Sequence, residues 1–284
     1  MAKTLMSTKQ QPEDKYISIN GLTLHYLDWG GGSDKVLVML HGITGNGHMW
    51  DDFAKQNCRE FRILALDQRG HGESEHAKDG YAVTSFASDL LNFVSSLEIK
   101  TFDLVGHSLG ARNAMSFAGN HSDRLNHTIL VDCGPELPMP GAQVTQKRIR
   151  SRPLGFRDFK EACDYHEEQN PGRSRQHIEN TVKHALRLNW IGKLVWKHDP
   201  ELYWITTSGG KIEVPYLWEQ WGKITCPTLI IRGEHSHVLD ANITNKMLSL
   251  KPSAKEVNIK NCGHQVPVDQ PIQFEQSVLD FLRN

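Results

Sequence analysis

Short apolar runs and amphipathic stretches alternate over both ends of the chain. Residues 16–19, 22–27, 36–40, 62–66, 102–105, 128–131, 228–231 and 255–259 have the length and texture of strands. Several are unbroken apolar runs, as expected of parallel strands with both faces covered by helices. Between them Val83, Phe86, Leu90, Val94 and Leu97 recur at the spacing that lays one apolar stripe along one helix face. The alternation predicts an α/β fold: a mostly parallel eight-stranded sheet, doubly wound, with helices on both faces. From about Leu137 to Gly222 the rhythm stops. No comparable strand runs occur there, and the segments 156–168 and 175–188 are helix-like and rich in charge. This texture predicts an inserted helical cap over 137–222, between a first core part (1–136) and a second (223–284).

Chemistry concentrates at Gly106-His107-Ser108-Leu109-Gly110. A strand precedes this pentapeptide and a helix, 111–118, follows it, so Ser108 falls on a sharp strand-to-helix turn that exposes a nucleophile. The flanking glycines let the backbone bend, and the helix N-terminus offers free N–H groups and the positive end of its dipole. His41-Gly42-Ile43 leaves another strand, where the Ile43 N–H can join that of Leu109 in an oxyanion hole. Asn261-Cys262-Gly263-His264 lies after the last strand and before a helix beginning near Pro271, which makes His264 the candidate general base.

Over nearly its whole length the chain resembles the α/β-hydrolase superfamily. The matching features are Leu40-His41-Gly42, the run from Asp67 to Ser74, the elbow at Ser108, the strand leading to Gly233, and Gly263-His264. The elbow continued through Asn113, together with Ile231 to Ser236, is similar to the amidomethylene-succinate hydrolases of vitamin B6 breakdown. The resemblance implies that Ser108 attacks a carbonyl, His264 shuttles protons and water resolves an acyl-enzyme. It disfavours haloalkane dehalogenases and epoxide hydrolases, which place an aspartate where Ser108 stands. One departure concerns the triad acid. The usual slot in the loop after Gly233 holds Ser236, followed by His237, so Asp132, Glu234 and Asp240 remain as candidates. Asp132 is preferred because it follows an apolar strand directly and keeps the order Ser, Asp, His. Glu234 is next, and Asp240 reads as a helix cap.

Composition narrows the partners. A net charge of −1 over 284 residues provides no global basic field for nucleic acid or an anionic membrane, and no apolar run approaches membrane-spanning length. The polar stretch Met1 to Gln11 lacks the apolar centre of a signal peptide, so the expected location is the cytoplasm. The five cysteines are odd in number and scattered, reading as reduced thiols. His235 and His237 have poor spacing for zinc, and no metal or other cofactor is expected. The expected partner is a small molecule, bound by a monomer or homodimer. From Leu137 to Pro200 twelve Lys and Arg face seven carboxylates, an excess that would attract an anionic substrate. Two other functions fit the same pattern: a cofactor-independent dioxygenase on this fold, and a non-catalytic small-ligand receptor suggested by the missing acid at Ser236.

Overall fold

The computed structural model describes residues 11–31, 33–78 and 80–284; the polar N-terminal stretch, apart from Gln11, lies outside them. Eight strands form one sheet: β1 (Glu13–Ile19), β2 (Leu22–Asp28), β3 (Val36–Leu40), β4 (Arg62–Leu66), β5 (Phe102–His107), β6 (Leu125–Val131), β9 (Thr228–Gly233) and β10 (Lys255–Ile259). Their spatial order is β1-β2-β4-β3-β5-β6-β9-β10, antiparallel at β1/β2 and β2/β4 and parallel elsewhere.

The unbroken apolar runs have a direct cause. In β3, Val38 and Leu40 enter one core with Phe93, Phe117 and Trp221, whereas Leu37 and Met39 enter a second with Trp50, Phe61 and Phe274. Successive side chains point to opposite faces, so a strand covered on both sides needs an apolar residue at every position. The helices Val83–Ser96 and Leu109–His121 contribute to the first core, and Asp51–Asn57 and Pro271–Leu282 to the second.

Between β6 and β9 lie the helices Met139–Arg150, Phe159–Gln169 and Arg175–Ala185. Asp158 and Ser174 cap the last two by accepting the N–H of Glu161 and His177. Phe156, Ala162, Cys163, Ile178, Val182 and Leu186 form a separate apolar cluster. The same stretch also contains an antiparallel ribbon, β7 (Leu186–Leu188) with β8 (Leu194–Trp196), where the sequence pattern shows no strand. Three residues per strand are too few to establish a period of two. The helix Val214–Lys223 packs against the helix Leu109–His121 beside the sheet, with Leu217 and Trp221 buried in the first core. All five cysteines are free and buried. No helix among the described residues is long and apolar enough to cross a membrane.

Candidate active site

Parallel strands end on one edge of a sheet, and the loops leaving β3, β5, β6 and β9 meet there. Ser108 follows β5 with φ 55° and ψ −115°, and Asp132 follows β6 with φ 52°. Both residues occupy sparsely populated backbone regions, held by Ser108 N–H to Val131 O (2.9 Å) and Asp132 N–H to Ile231 O (2.7 Å). The elbow requires its glycines for a steric reason. A Cβ on Gly106 would lie 2.2 Å from the Gly110 carbonyl oxygen, and one on Gly110 would lie 2.4 Å from that of Leu40.

The structure brings Ser108, His264 and Asp132 into one hydrogen-bonded line. His264 Nε2 is 2.9 Å from Ser108 Oγ, and its Nδ1 is 2.8 Å from Asp132 Oδ2. The other carboxylates named from sequence are engaged elsewhere. Glu234 accepts from Lys260 Nζ at 2.8 Å and the Asn261 N–H at 3.0 Å, while Asp240 caps the helix Ala241–Leu250 through the Ile243 N–H at 2.8 Å. Ser236, standing in the usual acid slot, donates its hydroxyl to Asp132 Oδ2, and the Gly233 N–H donates to Oδ1 at 2.8 Å. The slot therefore holds a residue that fixes a carboxylate supplied by the neighbouring strand. That contact removes the observation that suggested a receptor.

Charge at the site is controlled by burial. Exclusion from water pushes His264 down to about 3, helped by the nearby His237 and Arg148, so the imidazole is neutral and Nε2 is free to accept a proton. Burial likewise pushes the Asp132 carboxyl up, against the pull of the Ser236 hydroxyl and the Gly233 amide. While Asp132 is ionised, a neutral His264 directs its Nδ1–H at Oδ2, and the pair carries one negative charge and one ring proton. His107 is also neutral, pushed down to about 3 by burial. Its Nε2–H donates to the carbonyl of His264 at 2.9 Å and so holds the base's backbone. Neither His107 nor Ser236 is legible as a partner along the chain, because both bonds cross more than a hundred residues.

Leu109 is the first residue of the elbow helix, and its N–H is one of the four that such a helix leaves without an internal acceptor. Ile43 lines the cavity beside Ser108 and packs on the cluster containing Leu109, Phe86 and Ile205. A Cβ on Gly42 would fall 3.1 Å from that of Ser108, so this loop runs directly against the elbow.

Ser108 and His264 open into a cavity of about 340 Å³ between the sheet edge and the segment after β6. Its lining combines Arg148, Arg152 and Arg173 with ring side chains such as His166, Tyr165, Trp196 and His237, and also includes Asp51, Asp52 and Glu275. Arg173 pairs with Asp269, and His184 stacks on His48 with ring centroids 3.4 Å apart, tying both walls together. Arg148 bonds the neutral Asn170 at 3.0 Å. Arg152 lies 4.9 Å above the Trp196 ring, with no carboxylate partner among the described residues. Burial and the charge of Arg148 lower its pKa to about 10. Of the other tryptophans, Trp221 is core and Trp190 faces solvent. Arg112 pairs with Glu213 at 3.5 Å, a structural ion pair. No cluster of metal-ligating side chains occurs among the described residues.

A family model described as alpha/beta hydrolase fold matches residues 35–271. A Bacillus subtilis protein provisionally assigned as a 2-succinyl-6-hydroxy-2,4-cyclohexadiene-1-carboxylate synthase is 29% identical over 274 residues, covering 93% of this chain and 96% of its own. The 2-(acetamidomethylene)succinate hydrolase of Mesorhizobium japonicum is 25% identical over 271 residues, 94% of each chain. A crystal structure of E-2-(acetamidomethylene)succinate hydrolase superposes with a TM-score of 0.89 at 24% identity, over 96% of this chain and 100% of that one. At that identity the superposition speaks for the fold.

Proposed function

The chain belongs to the α/β-hydrolase fold family, and from that premise we propose that it is a cofactor-free serine hydrolase cleaving a small-molecule ester, amide or related acyl bond. The observation that carries this reading is the line Ser108–His264–Asp132 opening into the cavity. His264 Nε2 takes the Ser108 proton as Oγ bonds to the carbonyl carbon, and the carbonyl π-electrons move onto its oxygen. The Ile43 and Leu109 N–H groups receive that oxyanion. As the tetrahedral centre collapses, the leaving group departs with the proton held on His264. A water molecule, deprotonated by His264, then attacks the acyl-enzyme, and Ser108 recovers its proton from the imidazolium. Asp132 keeps the ring in the productive tautomer and stabilises its transient charge.

The substrate we infer bears a carboxylate. Arg148 and Arg152 face the cavity without an acidic partner among the described residues, and a half-buried guanidinium without one is costly unless a ligand supplies the charge. The names of both curated relatives include carboxylate compounds, a succinate and a cyclohexadiene carboxylate. The segment 137–222 contributes these arginines and would therefore act as the specificity element.

A fluorophosphonate probe tests the chemistry: it should label wild type at Ser108 and leave Ser108→Ala unlabelled and inactive with its fold retained. Equal labelling of both would sink the proposal. A panel of neutral and carboxylate-bearing esters and amides tests the substrate class. Arg152→Gln should raise KM for the charged members about tenfold or more, as expected for loss of a charge-assisted hydrogen bond, and leave the neutral ones unchanged. Oxygen uptake with an N-heteroaromatic substrate would instead favour the dioxygenase.

A further inference from the structure

The ribbon β7–β8 ends in a turn closed by its own polar groups. Asn189 Oδ1 accepts the N–H groups of Ile191 (3.1 Å) and Lys193 (2.9 Å), and the Asn189 N–H donates to Lys193 O at 2.8 Å. Gly192 supplies the required positive φ, 76°. These bonds hold the backbone without using the large side chains, which project into solvent. Trp190 is 94% exposed, Leu188 68% and Ile191 53%. Scattered exposed apolar residues are ordinary, but three on one hydrogen-bonded tip form an apolar surface with no partner among the described residues.

Charge identifies what that surface fits. Between Asn180 and His198 the chain carries Lys183, Arg187, Lys193 and Lys197 and no carboxylate, an imbalance hidden by the overall charge of −1. Lys197 is engaged with Glu73 at 2.6 Å, whereas Arg187 and Lys193 are exposed on either side of the tip. A tryptophan suits the headgroup layer, isoleucine and leucine the boundary of the acyl chains, and flanking cations the lipid phosphates. We propose that the β7–β8 tip is a peripheral docking point for a bilayer carrying anionic headgroups, on which the protein rests without spanning it. Residues from this stretch that line the cavity, such as His184 and Trp196, are distinct from those of the tip.

Co-sedimentation with vesicles tests this, using phosphatidylcholine alone and phosphatidylcholine mixed with phosphatidylglycerol. The full chain should pellet with the mixed vesicles at low salt, be released at high salt, and stay in the supernatant with vesicles of pure phosphatidylcholine. The double substitution Trp190→Ser, Ile191→Ser should abolish binding, and Arg187→Gln or Lys193→Gln should each weaken it about fivefold. Thermal midpoints should stay near the wild-type value, because all four side chains are exposed. No binding to mixed vesicles, equal binding to both kinds, or binding indifferent to the substitutions overturns the proposal. So does a concentration-dependent dimer, seen by light scattering and lost in the double variant, when vesicle binding is absent. That result would give the tip to a second copy of the chain.

Discussion

Replacing Asp132 by asparagine preserves shape, removes the carboxylate's charge and changes which atoms donate. In the native site Oδ1 accepts the Gly233 N–H, while Oδ2 accepts from both Ser236 and His264. Asparagine cannot reproduce that set. With its oxygen toward Gly233, the amide NH2 faces His264 Nδ1, which must then accept. The ring proton moves to Nε2, and the imidazole can no longer take the proton of Ser108 at 2.9 Å. The opposite flip sets two donors against each other at Gly233 in a buried site, a penalty of about 1–3 kcal/mol. The first arrangement should prevail, giving a folded protein whose kcat falls by about two to four orders of magnitude, or about 2.7–5.4 kcal/mol in the barrier. Turnover of a p-nitrophenyl ester and the fluorophosphonate labelling rate should fall together while the thermal midpoint changes little. Near-normal turnover in Asp132→Asn, combined with loss in Glu234→Gln or Asp240→Asn, would refute the reasoning.

Two glycines make opposite predictions from the same argument. Gly110→Ala directs a Cβ at the Leu40 backbone, 2.4 Å from its oxygen, and should lower stability in urea titration by about 3 kcal/mol. Gly222→Ala, in the helix Val214–Lys223 with nothing within 4 Å of the added carbon, should raise it by about 0.5–1 kcal/mol. Acid should also weaken the fold. Burial pushes His107, His198 and His264 from the ordinary 6.5 to about 3, and His166 and His184 to about 4. Each binds its proton more readily when unfolded, so the stability it contributes is complete above pH 6.5 and is lost as pH falls toward the folded values. His25, raised by Asp67 and Asp14 against burial, and Asp132, pushed up to about 7 by burial, act in the opposite sense but are two groups against the five named. The slope is about 1.4 kcal/mol per pH unit for each proton taken up on unfolding. Urea midpoints at pH 7.5 and 5.5 check it, and a midpoint that holds or rises on acidification contradicts the assignment.

The eight core strands and the elbow were legible in the sequence because their causes are local. A strand covered on both faces must be apolar at every position, and a tight strand-to-helix turn needs small residues around Ser108. The position of His264 was legible from its place after the last strand. The choice of acid could be argued from the end of β6, but the sequence left Glu234 and Asp240 open. Distance separated them: only folding shows that Asp132 reaches His264 while Glu234 turns to Lys260 and Asp240 caps a helix. Ser236 looked like a vacancy along the chain and became a hydrogen-bond donor in space. In the segment after β6, twelve basic residues were equivalent on paper. Tertiary structure alone sorted those paired with carboxylates, such as Arg173, from Arg148 and Arg152 in the cavity. Backbone pattern is decided by neighbours within a few residues, whereas the partner of a side chain depends on which strand ends and loops the completed sheet brings to the same edge.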